Sequence, residues 1–258
     1  MEFFGYISLI VMGIILGIMG AGGSILTIPI LIYLLGTPIL LATSYSLILV
    51  GTSALISSIY YRNCISFRKA IHFAIPSIVG VFTTRDFIIP SLSNYLGTIS
   101  TDKALIVLLL IFIGISGYFM IRNSAYPHDA QINPSLGQYV KVTLIALSLG
   151  IVMGLLGAGG GFLIVPTFVL FMGFSMQEAV PTSLLIITMN SFMGFAADKH
   201  NFLASDWLNI SKYLSFTCLG TFMGIYIAKF INSNNLKKSF GYFVWIIGIT
   251  IFAKECIL

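Results

Sequence analysis

Two glycine-rich segments could bind an anion through their backbone. The sequence GAGG occurs at 20–23 and again at 157–160, followed by Ser24 in the first segment and by Gly161 in the second. Each glycine costs a helix about 1 kcal/mol relative to alanine, so both segments are expected to interrupt a helix. The helix that restarts after each interruption would point free N–H groups and a positive dipole end at an anion. The binding residues predicted here are Gly20, Ala21, Gly22, Gly23, Ser24, Gly157, Ala158, Gly159, Gly160 and Gly161.

Small polar residues follow each segment and could complete such a site. Ser46 and Ser183 occupy matching places after the two segments, and Asn190 lies further along. Their hydroxyl and amide groups can donate hydrogen bonds to an oxyanion. The alternative is that they only join helices, as small polar residues and spaced glycines often do in membranes. The glycines whose spacing suits close helix packing are Gly13, Gly17, Gly20, Gly150, Gly154 and Gly157.

Two ionisable residues lie inside an apolar run. Arg85 and Asp86 fall between Ala70 and Leu92, and an ionisable side chain at membrane depth indicates function by default. Arginine is always protonated, and its planar fork matches an oxyanion, so Arg85 is a candidate for substrate binding. The alternative is an Arg85–Asp86 pair at an interfacial helix end. The sequence DKH at 198–200 looks like a solvated loop.

Other reactive side chains are sparse. The three histidines show no HExxH spacing, and the three cysteines form no CxxC pair, so we expect no metal and no cofactor. The sequence GISG at 114–117 has the GxSG pattern of intramembrane serine proteases, which need a later histidine. The later histidines, His128 and His200, both lie in polar loop sequence. We therefore expect no enzyme, with an intramembrane hydrolase as a minor alternative.

The composition places these residues in a bilayer. Of 258 residues, 58% are hydrophobic and only 8% are charged, whereas a soluble domain carries roughly a quarter charged residues. The sparse Lys and Arg residues form no basic stripe, which argues against nucleic acid as a partner. Eight apolar runs approach or exceed the roughly 20 residues of a membrane span, so we predict an all-α polytopic membrane protein. The runs are 3–35, 39–61, 70–92, 104–121, 139–172, 179–197, 208–231 and 240–257.

The two halves of the chain match each other. GIILGIMGAGGSILTIP, which begins at Gly13, corresponds to GIVMGLLGAGGGFLIVP, which begins at Gly150. Chance would not return glycines and prolines in one register, so we predict an internal duplication. The predicted domains are a first membrane repeat at 1–121, a polar linker at 122–138 and a second membrane repeat at 139–258, each of about four helical segments, the first one broken at its glycines.

The duplicated motif resembles a known family. Two GxxGAGG segments, each followed by a proline (Pro29 or Pro166) and an AxxxSL stretch, are similar to the sulfite exporter TauE/SafE family of bacterial membrane transporters. The resemblance implies a permease of the bacterial inner membrane for small sulfur-containing anions such as sulfite or organosulfonates, usually working outward. The chain departs from the family pattern at two places. Ser24 stands where the second segment has Gly161, and Arg85-Asp86 stands where small or apolar residues are expected.

The mechanism and the topology are left with alternatives. The chain has no Walker motif, so we predict a secondary transporter with alternating access around the paired glycine breaks, with a passive anion channel as the alternative. A coupling proton and a homodimer are further expectations. The repeats are parallel if every run crosses the membrane, and inverted if each broken segment turns back. In both arrangements, eight Lys and Arg residues lie on one face of the membrane and five on the other, so the positive-inside rule does not distinguish the two arrangements.

Overall fold

The computed structural model describes residues 2–20, 23–91, 136–157, 161–198, 202–230 and Tyr242. These residues form helices and no strand, as predicted. The helices are α1 (Glu2–Met19), α2 (Gly23–Pro29, continued by a π-helical stretch at Ile30–Leu34), α3 (Ile39–Tyr60), α4 (Phe67–Thr83, continued by a π-helical stretch at Thr84–Ile88), α5 (Leu136–Leu156), α6 (Gly161–Phe171), α7 (Met176–Ala196) and α8 (Ala204–Ala228). A short 3-10 turn, Arg62–Cys64, joins α3 to α4.

Four of the described helices are long and apolar enough to cross a membrane. They are Ile39–Tyr60, Phe67–Ser91, Tyr139–Leu156 and Gln177–Ala196. Three of them match a predicted run closely, and Tyr139–Leu156 covers the first part of the run at 139–172. The runs at 104–121 and 240–257 lie outside the described residues, apart from Tyr242. Because α5 begins at Leu136, the last residues of the predicted linker 122–138 are helical. The rest of that linker also lies outside the described part of the chain.

The first long run reverses direction near its glycines. Helix α1 ends at Met19, and Gly20 has a φ of +70°, a conformation that favours glycine. After α2, Leu35 lies beside the start of α1, since a Cβ placed on Gly5 would be 2.6 Å from Leu35 Cδ2. A straight helix would separate these two residues by about 45 Å. The chain therefore returns toward the level at which it started.

The second long run also returns toward its starting level. Helix α5 ends at Leu156, and Gly157 has a φ of +63°. The start of α5 packs against the start of α4, with the Tyr139 ring 5.0 Å from the His72 ring. Phe174, which follows α6, reaches the same part of α4, where Lys69 Nζ lies 4.4 Å from its ring. Both ends of the run therefore meet the first turns of α4.

These contacts define two ends of the helix bundle. The Gly36 end holds the starts of α1, α3 and α8, where the Tyr45 hydroxyl donates to Asp206 Oδ1 at 2.7 Å. The Asn63 end holds the end of α3 and the starts of α4, α5 and α7, where the Ser66 N–H donates to Thr182 Oγ1 at 3.2 Å. Helices α1, α3 and α8 thus run toward the Asn63 end, whereas α4, α5 and α7 run toward the Gly36 end.

Glycines allow the closest helix contacts. A Cβ on Gly17 of α1 would lie 2.6 Å from the Thr221 carbonyl oxygen of α8, and a Cβ on Gly80 of α4 would lie 2.5 Å from the Leu147 carbonyl oxygen of α5. Small residues let helix backbones approach in this way. The packing role predicted for the spaced glycines is therefore confirmed for Gly13, Gly17, Gly150 and Gly154. Between the two helix pairs, α3 and α7 pack antiparallel, with Gly51 beside Ser191.

The helix directions predict which positions share a face of the membrane. In a protein whose cysteines are replaced by alanine, a cysteine at Glu2 and one at Thr37 should react with an impermeant thiol reagent from the same face. A cysteine at Asn63 should react from the opposite face. Thr37 is used in place of Gly36, whose φ of +65° disfavours a side chain. Labelling of positions 2 and 37 from opposite faces would show that the first run crosses the membrane and would contradict these directions.

Candidate functional site

The π-helical stretch after α4 carries a buried arginine. Arg85 lies in Thr84–Ile88, and its side chain is 2% exposed. Its Nη1 donates to Asp198 Oδ2 at 3.1 Å and to Thr43 Oγ1 at 3.3 Å. Stretches of π-helix inside α-helices frequently occur at functional sites, because they turn side chains out of the regular helical register. Arg85 therefore joins α4 to α3 and to the end of α7.

The acidic partner of Arg85 comes from a distant part of the chain. Asp198 directly follows α7, and its side chain is only 14% exposed. Its Oδ2 accepts hydrogen bonds from both Arg85 and the Ser44 hydroxyl. The expectation of a solvated loop was therefore wrong for Asp198. Of the two alternatives for Arg85, the structure describes neither directly: the ion pair that it describes is with Asp198, because the fold brings the ends of α4 and α7 together.

Gly157, the first residue of the second glycine segment, lies directly against this ion pair. A Cβ on Gly157 would overlap both Thr43 and Arg85 Nη2. The carbonyl oxygen of Gly157 accepts a hydrogen bond from the hydroxyl of Ser46, which also donates to the Thr43 carbonyl at 3.0 Å. Ser46 thus joins α3 to the end of α5, and its hydroxyl proton is shared between backbone acceptors. Three of the predicted binding residues, Ser46, Arg85 and Gly157, meet at one place.

One edge of the Arg85 guanidinium has no described hydrogen-bond partner. Within the described part of the chain, Arg85 Nε and Nη2 are buried and have no hydrogen-bond partner. A buried donor without a partner costs about 1–3 kcal/mol, and more for a charged group. These two nitrogens form one side of the planar fork, which can donate two parallel hydrogen bonds to two oxygens of an oxyanion. These are therefore the donors of Arg85 with which an anion would pair.

Gly20, the first residue of the first glycine segment, has apolar surroundings instead. A Cβ on Gly20 would overlap Val180 and lie 3.3 Å from Leu184 Cγ, both on α7. Ser183, also on α7, is buried and donates to the Val180 carbonyl oxygen at 2.8 Å. In the sequence match between the halves, Val180 stands where Thr43 stands beside Gly157. The described residues therefore place the charged groups at one of the two segments.

The remaining predicted residues are spread through the bundle. Asn190 is buried, accepts a hydrogen bond from Ser77 at 3.1 Å and donates to Met153 Sδ at 3.4 Å. It lies eight residues before Asp198, or about 12 Å along the helix, so it is separate from the Arg85 cluster. Ser24 is fully buried in α2. Gly23 is the first residue of α2, and Gly161 is the first residue of α6. The other predicted binding residues lie outside the described part of the chain, and they are Ala21, Gly22, Ala158, Gly159 and Gly160.

Sequence reasoning missed Asp198 and the contacts around Arg85. Thr43 and Ser44 were recognisable as polar residues that could donate to an oxyanion, but their spacing gave no sign that they contact Arg85 and Asp198. Asp198 was hidden because Lys199 and His200 follow it, which is typical of a loop. The usable signal was its position, since it is the acidic residue that immediately ends an apolar run. In the described residues, no group of three or more His, Cys, Asp or Glu side chains could hold a metal.

Comparison with known proteins gives a consistent result. The sequence model of the family described as Sulfite exporter TauE/SafE matches residues 6–251. A probable membrane transporter protein of Xylella fastidiosa (strain 9a5c) is 28% identical over 250 residues, which cover 92% of this chain and 89% of that protein. The probable membrane transporter protein YunE of Bacillus subtilis (strain 168) is 28% identical over 123 residues, 45% of each chain. No solved structure matches the chain significantly.

Gly157 offers a test of the geometry around Arg85. Gly157→Ala should weaken anion binding, because the added Cβ would displace Thr43 and the guanidinium. Gly173→Ala is a matched control, since Gly173 has a similar φ of +67° but no atom within 4 Å of an added Cβ. Both variants should lose about 1 kcal/mol of stability from backbone strain, and Gly157→Ala should lose more because its Cβ also overlaps its neighbours. Equal anion affinity in the two variants, measured by titration of purified protein, would contradict a site at Gly157.

Proposed function

The chain belongs to the sulfite exporter TauE/SafE family, and from that premise we propose that it is a secondary transporter of small sulfur-containing anions such as sulfite or an organosulfonate. It is a membrane transporter by family and by the names of its relatives. The proposal adds the substrate class, the bacterial inner membrane as location and export as the usual direction. It also adds alternating access as the mechanism, and it assigns the chain no enzymatic reaction.

The observation that carries the proposal is the free edge of Arg85. The guanidinium presents two adjacent donors, Nε and Nη2, in a buried place beside Gly157. Sulfite and sulfonates both carry three oxygens on one sulfur, so two of these oxygens can accept both hydrogen bonds at once. An arginine is suited to this task because it keeps its charge when buried. The glycine lets the backbone approach the anion without an intervening side chain.

The arrangement of the helices supports an inverted pair of repeats. Helices α1 and α5 begin matching halves of the sequence, and they run in opposite directions through the bundle. The contact of α1 with α8 corresponds to the contact of α5 with α4, and α3 packs on its counterpart α7. Transporters of this kind change access by rocking one repeat against the other around a fixed site. We propose that α2 and α6 are the returning segments that surround this site.

The distribution of positive charge suggests an orientation. Most of the described Lys and Arg residues lie at the Asn63 end, and the positive-inside rule would place that end in the cytoplasm. Arg85 and Lys212 lie nearer the Gly36 end. The anion site would then be closer to the outer face, where an exporter releases its substrate. The residues at the Asn63 end are Arg62, Arg68, Lys69, Lys141 and Lys229.

A passive anion channel is the second candidate. It would need a continuous hydrated path past Arg85, whereas the Arg85 side chain is 2% exposed and paired with Asp198. A carrier saturates with substrate and exchanges labelled for unlabelled anion, while a channel does neither. The coupling ion and the homodimer remain predictions.

Arg85→Lys tests the role of the guanidinium. The variant keeps the positive charge but loses the two parallel donors, so the affinity for sulfite should fall about tenfold or more, equivalent to about 1.4 kcal/mol. Arg62→Lys makes the same change at an exposed arginine in the 3-10 turn and should leave the affinity as it is. Titrations with sulfite, sulfate and an organosulfonate would also rank the substrates. Equal affinities of Arg85→Lys and the wild type for every anion would refute the proposed site.

A further inference from the structure

We infer that Asp198 is an internal counterion that neutralises Arg85 when no substrate is bound and so allows the empty transporter to change its access. The inference rests on the proposed function, because it takes Arg85 as the anion site. It adds a role for Asp198. With this carboxylate the protein performs net transport, and without it the protein only exchanges one anion for another.

The first support is the position of the carboxylate. Asp198 contacts the Nη1 side of the guanidinium at 3.1 Å, whereas Nε and Nη2 form the side without a described partner. The Ser44 hydroxyl, from a third helix, also donates to Asp198 Oδ2. The carboxylate is thus held on one edge of Arg85 while the other edge can receive substrate. Both negative groups would act on a single positive charge.

The second support is the burial of Arg85. The Arg85 side chain is 2% exposed, and the neighbouring residues of α3, Thr43 and Ser44, are buried and uncharged. A guanidinium in such surroundings is strongly disfavoured unless it is paired. At the first glycine segment, Val180 and Leu184 provide no charge that could serve instead. Asp198 is therefore the group in the described structure that keeps the empty site neutral.

The consequence concerns the return step of the transport cycle. A carrier that performs net transport must change its access once with substrate and once without it. With Asp198 ionised, the Arg85–Asp198 pair carries no net charge, and the carrier without substrate can make this change. The substrate anion and Asp198 share one cation, so binding of either weakens the hold on the other, and this coupling is reciprocal. Without the carboxylate, the partner of Arg85 that remains among the described residues is the uncharged Thr43 hydroxyl, and substrate takes over the negative charge.

Asp198→Asn separates the two kinds of transport. Purified wild-type and variant protein would be reconstituted in vesicles, and movement of labelled sulfite would be measured in two ways. Exchange is measured with unlabelled sulfite inside the vesicles, and net flux is measured with none inside. We expect Asp198→Asn to retain exchange, while its net flux falls about tenfold, the effect of a tenfold lower population of the state that returns empty.

Binding supplies a second readout that needs no transport. Because the competing carboxylate is gone, Asp198→Asn should bind sulfite about tenfold more tightly than the wild type. Its melting temperature should also rise more steeply with sulfite concentration. Asp86→Asn removes the neighbouring carboxylate and is the matched control, with an unchanged ratio of exchange to net flux. Asp198→Glu keeps the negative charge and should recover most of the net flux.

The outcomes distinguish the inference from the proposed function. Equal losses of exchange and net flux in Asp198→Asn, or an unchanged ratio together with unchanged affinity, would overturn the counterion role. If Asp198→Asn does not fold, Ser44→Ala removes one bond to the carboxylate and should shift the same ratio in the same direction, and an unchanged ratio there would overturn the role as well. A wild-type protein that neither binds nor moves any tested anion would instead refute the proposed function.

Discussion

A buried positive charge is the constraint on which the rest of this structure depends. Removing a guanidinium from water is costly enough that it must be met by a negative group and by further hydrogen-bond acceptors. Arg85 finds Asp198 at the end of α7 and Thr43 in α3. The ends of three helices therefore have to meet at one level of the bundle. The π-helical stretch that carries Arg85 and the antiparallel packing of α3 on α7 place Arg85, Asp198 and Thr43 in contact.

Glycines make the meeting possible at close range. In α1, α4, α5 and α8 they bring backbones so close that an added Cβ would collide with carbonyl oxygens of the next helix. At Gly157 the same absence of a side chain leaves room for Arg85 and Thr43. The positive φ of Gly20 and Gly157 lets the chain turn where α1 and α5 end. Glycines thus permit close contacts both between the helices and beside Arg85.

Much of the architecture could be predicted because hydropathy and glycine spacing are local signals. The apolar runs predicted α3, α4, α5 and α7 closely, and the packing glycines of α1 and α5 were recognisable from their spacing. Arg85 was identifiable because a charge in an apolar run is rare. Its partner was not, because Asp198 lies far away in sequence and is followed by residues typical of a loop. The sequence left open whether the long runs cross the membrane or turn back. The contact between Gly5 and Leu35 shows the first run turning back, and such a long-range contact cannot be read from composition.

The most direct test of the central claim is to locate a bound anion. Selenite has the shape and charge of sulfite, and selenium scatters X-rays anomalously, so crystals of the protein grown with selenite would show the position of the ion. The account predicts an anomalous peak beside Gly157, with its oxygens within hydrogen-bonding distance of Arg85 Nε and Nη2. A peak beside Gly20 and Val180, or an Arg85 that contacts no anion when selenite is bound elsewhere, would contradict it.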